Sequence, residues 1–418
     1  MSPAERESER RLENQLAALN IQAASQPQTA DPAPLRRGID EKRRQLEDFE
    51  TALYAAHPSL AIDRGGRRAA GPPDFAALPR TLIFDYVVTA RRVWLFVVKP
   101  GAPARAYPLA VTRGDLETRT AEFHRQIAGH DLTFAASAQA LFHLLLAPVE
   151  TELSQYPNVV IVPDGPLWEI PFQALQSRPG HFWMEDAAIA YAPSLTVLRE
   201  TLALARRRAA SPPPRELLAF GDPASSAGRL PAARQQVREI GKLYGSEHST
   251  ILTGADATED RFKAEAGQYR ILHVASHGVL DDASPMYSHV MLGATASEDG
   301  VLEAREVMDL NLRADMVVLS ACETARGRAA EGEGITGMLW ATFVAGAPTT
   351  VASLWKVEDA ATGELMVEFH RHWIEARRKG EPFAKSQAMR AAARKLIASQ
   401  RYAHPFYWAG FIVAGSPE

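Results

Sequence analysis

The chain has 418 residues, 46% hydrophobic and 23% charged, which is enough to bury a large core, excludes disorder of the whole, and predicts two or three domains. A formal net charge of −4 supplies no overall basic field to recruit nucleic acid or an anionic membrane. One cysteine excludes an internal disulfide, no apolar h-region follows Met1, and apolar runs such as "VWLFVV" fall far short of the roughly 20 residues of a membrane span, so a soluble, cytoplasmic protein is expected.

Residues 1–75 read as a helical N-terminal segment and linker. Leu12, Leu16 and Leu19, then Leu46, Phe49 and Leu53, recur at helical spacing on either side of the break "SQPQTADPAP", which predicts two amphipathic helices. Acids and bases alternate on their polar faces, so a docking hairpin is favoured over a membrane-surface helix. "RGGRRAAGPP", Arg64 to Pro73, is the expected linker.

Residues 76–212 begin with two β-rich runs of period two, "TLIFDYVV" and "RRVWLFVV", which predict an antiparallel hairpin. Helical patterns follow near Gly114–Ile127 and Ser137–Ser154, then a buried strand in "NVVIVPDGPLWEIPF" and a helix near Ser194–Arg208. "AASPPP", Ala209 to Pro214, marks the clearest internal boundary.

Over residues 213–418 short apolar runs ("ELLAFG", "STILTG", "RILHVAS", "HVMLG", "DMVVLSA", "TTVASLW") alternate with helical segments. That alternation predicts an α/β fold, a mostly parallel sheet covered by helices on both faces. Chemistry in such sheets gathers at the carboxyl ends of strands, where "LHVASHG" and "VVLSACETARG" both lie.

A catalytic cysteine needs a base within reach and backbone donors for the developing oxyanion. His277, Cys322 and Gly278 can supply all three if their strands are neighbours, and the bare Gly278 would let substrate approach its N–H. Against this, a lone cysteine is often a small apolar core residue, and a strand-end histidine often a cap. His273 forms HxxxH with His277, but on a strand the two would lie about 13 Å apart, too far to share a metal, and Val274 stands where HExxH has its Glu. His273 is therefore expected to be a buried, hydrogen-bonded strand histidine, and no metal site is expected.

"EGEGITG" matches GxGxxG through Gly332, Gly334 and Gly337, with Glu358 or Asp359 further on. The glycines start well after the strand ends, Glu331 and Glu333 would oppose a pyrophosphate, and the preceding strand leads into the cysteine. They are better read as a mobile loop beside the site, ending at a helix N-terminus, and no cofactor is expected. Asp359 follows the next strand and either lines a pocket or N-caps the helix beginning near Ala360.

"ILHVASHG", "LSACETARG", "EGEGITGMLWATFVAGAPTTVASLWKVEDAATGELMVEFHRHW" and "HPFYWAGFIVAG" together resemble the CHAT domain, a caspase-like peptidase domain related to separase. Upstream "VPDGPLWEIPFQAL", "GDP", "LPAARQQVREI" and "LTGADATEDRFK" resemble the same family. The resemblance implies His277 and Cys322 as the catalytic pair, the N–H groups of Gly278 and Cys322 as the oxyanion hole, and Asp359, with Glu358 beside it, as the acid selecting Arg or Lys before the cut. It also implies that residues 76–212 form a non-catalytic caspase-like lobe before the catalytic domain at 213–418. The helical segment would then join this pair to tetratricopeptide repeats, although no repeat of about 34 residues is visible.

A thiol endopeptidase follows, acting on a protein substrate and released by a sensor or repeat-containing partner, in a setting such as bacterial defence. No direct contact with nucleic acid or membrane is expected. The alternatives are a non-catalytic caspase-like scaffold and a dinucleotide-binding enzyme using Gly332, Gly334 and Gly337.

Overall fold

The computed structural model describes residues 3–24, 33–56, 75, 78, 80–99, 101–281, 284–321, 329–330, 334–335 and 337–418. The chain divides into two compact units, Met1–Pro73 and Asp74–Glu418. In the first, helices α1 (Pro3–Ala24) and α2 (Ala33–Ala56) pack on each other, with Gly38 against Leu19. The expected linker at 64–73 lies outside the described residues.

In the second unit, eleven strands among the described residues form one sheet. In chain order they are β1 (Thr81–Val88), β2 (Val93–Val98), β3 (Arg105–Leu109), β4 (Asn158–Val162), β5 (Ala188–Tyr191), β6 (Arg215–Pro223), β7 (Ser249–Gly254), β8 (Tyr269–Ala275), β9 (Met316–Ser320), β10 (Thr349–Ser353) and β11 (Phe411–Gly415). Their spatial order is β3-β2-β1-β4-β5-β11-β10-β9-β8-β6-β7. β1 and β2 make the antiparallel hairpin expected from their alternation, and Pro108, which cannot donate to a ladder, sits on edge strand β3. β4, β9, β10 and β11 are buried at every position, because helices cover both faces and leave no side for polar residues.

The last strand, β11, inserts into the middle of the sheet. It runs antiparallel to β10 and parallel to β5, where Ala414 pairs with Tyr191, so the halves on either side of Ala209–Pro214 share one continuous sheet. The covering helices include α3 (Arg113–Ala128), α4 (Phe134–Leu146), α5 (Leu195–Ala210), α6 (Pro231–Tyr244), α7 (Glu259–Glu265), α8 (Ala304–Met308), α9 (Met338–Val344), α10 (Asp359–Lys379) and α11 (Ala384–Ala398). The helix expected over Ser137–Ser154 is interrupted by a 3₁₀ turn at Ala147–Val149, where Pro148 lacks the N–H a continuous helix needs. α6 lies so close to β6 that a Cβ on Gly221 would come within 2.8 Å of the Ala233 carbonyl, so only glycine fits there.

"HVMLG" does not join the large sheet. Residues His289–Met291 form the centre of a small antiparallel sheet with Gly278–Val279 and Val301–Glu303. No helix among the described residues is long and apolar enough to cross a membrane.

Candidate active site

β8 and β9 are parallel neighbours, paired from Ile271 with Met316 through Ala275 with Ser320. Past the end of β8, Ser276 Oγ donates to the Met291 carbonyl, and the His277 carbonyl accepts from Met291 N at 2.9 Å. Gly278 then pairs with Val290, so the small sheet fixes the backbone on both sides of His277. The His277 ring is part-exposed, and its Nε2 is buried with no hydrogen-bond partner among the described residues. An imidazole nitrogen so placed is available to accept a proton or donate one.

Cys322 lies outside the described residues, as do Gly332, Glu331 and Glu333. The chain is described up to Ala321, whose carbonyl accepts from Ser353 Oγ at 2.5 Å. It reappears as a two-residue ladder of Ala329–Ala330 with Gly334–Ile335. Gly337, at φ 117°, caps the start of α9. Gly334 is thus engaged in an antiparallel ladder, unlike the direct strand-to-helix turn that a dinucleotide fingerprint requires.

His273 is fully buried on β8, as expected. Its Nε2 lies 2.8 Å from Gln236 Nε2 and its Nδ1 lies 3.0 Å from His370 Nε2, while His370 Nδ1 lies 2.9 Å from the Tyr244 hydroxyl. Burial pushes His273 down to about 3 and His370 well below the usual imidazole range, so both stay neutral. Both ring nitrogens of His273 are engaged in this buried row, so neither is left to meet a thiol.

The two acids after β10 have separate tasks. Glu358 is the N-cap of α10 and accepts from Ala361 N at 2.6 Å, the job expected of Asp359 if it capped its own helix. Asp359 Oδ2 instead accepts from Ala232 N at 3.1 Å, capping the first turn of α6. Burial, then the charge of Glu358, raises the Asp359 carboxyl above its ordinary value, against the pull of the Ala232 and Ala233 amides.

Several polar residues here escaped the sequence reading. Asp222, near the end of β6 at φ 49°, has a fully buried side chain that accepts from Arg229 Nη2 at 2.7 Å, Arg234 Nε at 3.0 Å and Leu230 N at 2.8 Å. The bond from Arg229 leads in holding its carboxyl below the usual range. Gln236 donates to Ser320 Oγ at 3.0 Å. Its signal was a glutamine among the core-facing positions Ala233, Val237 and Ile240 of an amphipathic helix.

Glu259, Glu298 and Glu306 bring carboxylate oxygens within 4.8 Å of one another. Lys263 Nζ lies 2.6, 2.8 and 2.9 Å from them, so an ammonium already occupies the centre of this group.

Mouse tetratricopeptide repeat protein 28 is 24% identical over 335 residues, covering 66% of this chain and 13% of that protein, and the human protein is 23% identical over 334. The chain thus spans about an eighth of these relatives. Separase, in its Saccharomyces cerevisiae complex with securin, superposes with a TM-score of 0.53 at 9% identity, over 82% of this chain and 30% of that one. That likeness carries the caspase-like fold. The Arg-specific cysteine proteinase gingipain R gives a TM-score of 0.41 at 13% identity, covering 73% of this chain and 74% of its own. The CHAT domain family model matches residues 135–416, well over half the chain, and the protein belongs to the CHAT domain family, with a caspase-like cysteine-peptidase fold.

Proposed function

We propose that this protein is a cysteine endopeptidase in which His277 and Cys322 form the catalytic dyad. The observation that carries it is the register of β8 and β9: Ala275 pairs with Ser320, and His277 and Cys322 each follow two residues later in sequence. Two parallel strands ending level with each other support a meeting of base and nucleophile. His277 takes the thiol proton as Cys322 Sγ attacks the scissile carbonyl, then returns it to the leaving amine. Water hydrolyses the thioester, and the N–H groups of Gly278 and Cys322 hold the oxyanion in both halves.

Residues 76–212 are the non-catalytic lobe and 213–418 the catalytic domain. A preference for Arg or Lys is supported by Asp359, whose half-buried carboxylate has lone pairs beyond those used by α6. The repeat-containing relatives support an activating partner of that class, joined through the N-terminal helices.

The test is a screen of a peptide library by mass spectrometry with the wild type and Cys322→Ala. Cleavage after basic residues in the wild type alone is the expected result. Cleavage that survives in Cys322→Ala removes the dyad; wild-type cleavage at other residues removes only the role of Asp359.

A further inference from the structure

β9 pairs with β8 as far as Ser320, and with β10 at Val317 with Thr350 and Val318 with Val351. Side chains also hold the end of the strand. Gln236 Nε2 donates to Ser320 Oγ at 3.0 Å from the α6 side, and Ser353 Oγ donates to the Ala321 carbonyl at 2.5 Å from β10. Gln236 is 2% exposed and Ser353 is fully buried, so water does not compete for either bond.

Gln236 is itself held. With its Nε2 shared between Ser320 Oγ and His273 Nε2, one neutral tautomer of each imidazole satisfies the chain: Gln236 donates to His273 Nε2, His273 Nδ1–H to His370 Nε2, and His370 Nδ1–H to the Tyr244 oxygen. These bonds tie α6 and α10 to β8 and β9. A buried row of polar groups this complete fixes one arrangement of the elements that carry it, because any shift leaves a donor unpaired.

We propose that Gln236 is a positioning residue for the nucleophile: anchored through His273 and His370, it sets the height at which Ser320 ends β9 and so the approach of Cys322 to His277. This rests on the dyad of the proposed function. A thiol held against its imidazole ionises below the ordinary thiol pKa of about 8.5 and alkylates readily at neutral pH; one displaced from it reacts like a free thiol.

The test is the rate of iodoacetamide alkylation by intact mass across pH, which reports Cys322 alone because the chain has no other cysteine. The variants are Gln236→Leu, Ser320→Ala, the double variant and, as a separate arm, His277→Ala. Each single change is expected to slow alkylation at neutral pH about tenfold, in the range of lost supporting hydrogen bonds at functional sites. The double variant should be no slower than either single, since both break one contact. Above the ordinary thiol pKa all rates should converge, which a general loosening of the fold would not produce.

Wild-type rates in both single variants, or losses that multiply in the double, overturn the role of Gln236. If Gln236→Leu lowers the melting temperature sharply, Ser320→Ala carries the test, because it removes the acceptor and leaves the histidine row untouched. Alkylation in His277→Ala as fast as in the wild type overturns the dyad itself, and with it the positioning role. A slowed His277→Ala beside unaffected Gln236→Leu and Ser320→Ala overturns the positioning role alone.

Discussion

The two halves of the sheet end differently. At the carboxyl ends of β1, β4 and β5 the chain closes on itself: Asp164 Oδ2 accepts from Val88 N at 2.7 Å, Arg113 donates to the Val88 carbonyl at 2.9 Å, and the Tyr191 hydroxyl bridges Phe172 N and Gln173. At the end of β8 the backbone is pinned equally well, yet the His277 ring keeps an Nε2 with no hydrogen-bond partner among the described residues. Both halves hang short motifs on parallel strands. The Val88, Asp164, Arg113 and Tyr191 groups of one are consumed in holding the fold, whereas the His277 imidazole Nε2 of the other is bonded to no described residue. A motif at a strand end acquires chemistry when its neighbours leave it unsatisfied.

The strongest way to sharpen that contrast is His277→Ala, which should reduce cleavage about 10³-fold with little change in melting temperature, within the range for a general base. A loss under tenfold in kcat/KM would put the two halves on the same footing. Next, Asp359→Asn should lower kcat/KM on Arg and Lys peptides by about tenfold while sparing other cleavages, as expected from loss of a charge-assisted contact. Equal losses on all peptides would assign Asp359 only to capping α6.

In the closed half, Asp164→Ala leaves Val88 N without its acceptor and should cost about 2 kcal/mol, read by urea denaturation, with cleavage preserved. A collapse of activity at intact stability would contradict the division. The smallest effect concerns Asp85, which burial, then the Asp164 charge, raises from 3.8 to about 6. Because the folded state favours its protonated form, its contribution to stability is full below pH 3.8 and is lost as pH rises through about 6. Asp85→Asn escapes that loss and should gain about 1 kcal/mol at neutral pH and nothing near pH 4. A melting temperature that is unchanged at both pH values would show that Asp85 is better solvated than its surroundings suggest.

Much of this was legible in the residues. Strands buried on both faces must be continuous apolar runs, so "NVVIV", "RILHVA" and "MVVLS" declared themselves, and "ASHG" stood out because polar residues end such a run. His273 was readable as a strand histidine for the same reason. The division of labour between Glu358 and Asp359 was not, because it depends on α6, more than a hundred residues earlier, presenting its first turn to Asp359. Gln236 gave only the weak signal of a polar residue at a core position, since its partners lie on three other elements.

By itself, then, the sequence determined most of the elements and their mostly parallel order, because local periodicity and burial leave few other solutions. The tertiary structure alone decided that β11 joins both halves into one sheet and that β8 and β9 end level with each other. It also decided which polar side chains are spent on holding those ends. Such contacts are set by packing between distant segments, and their energies depend on burial and geometry that no local pattern encodes.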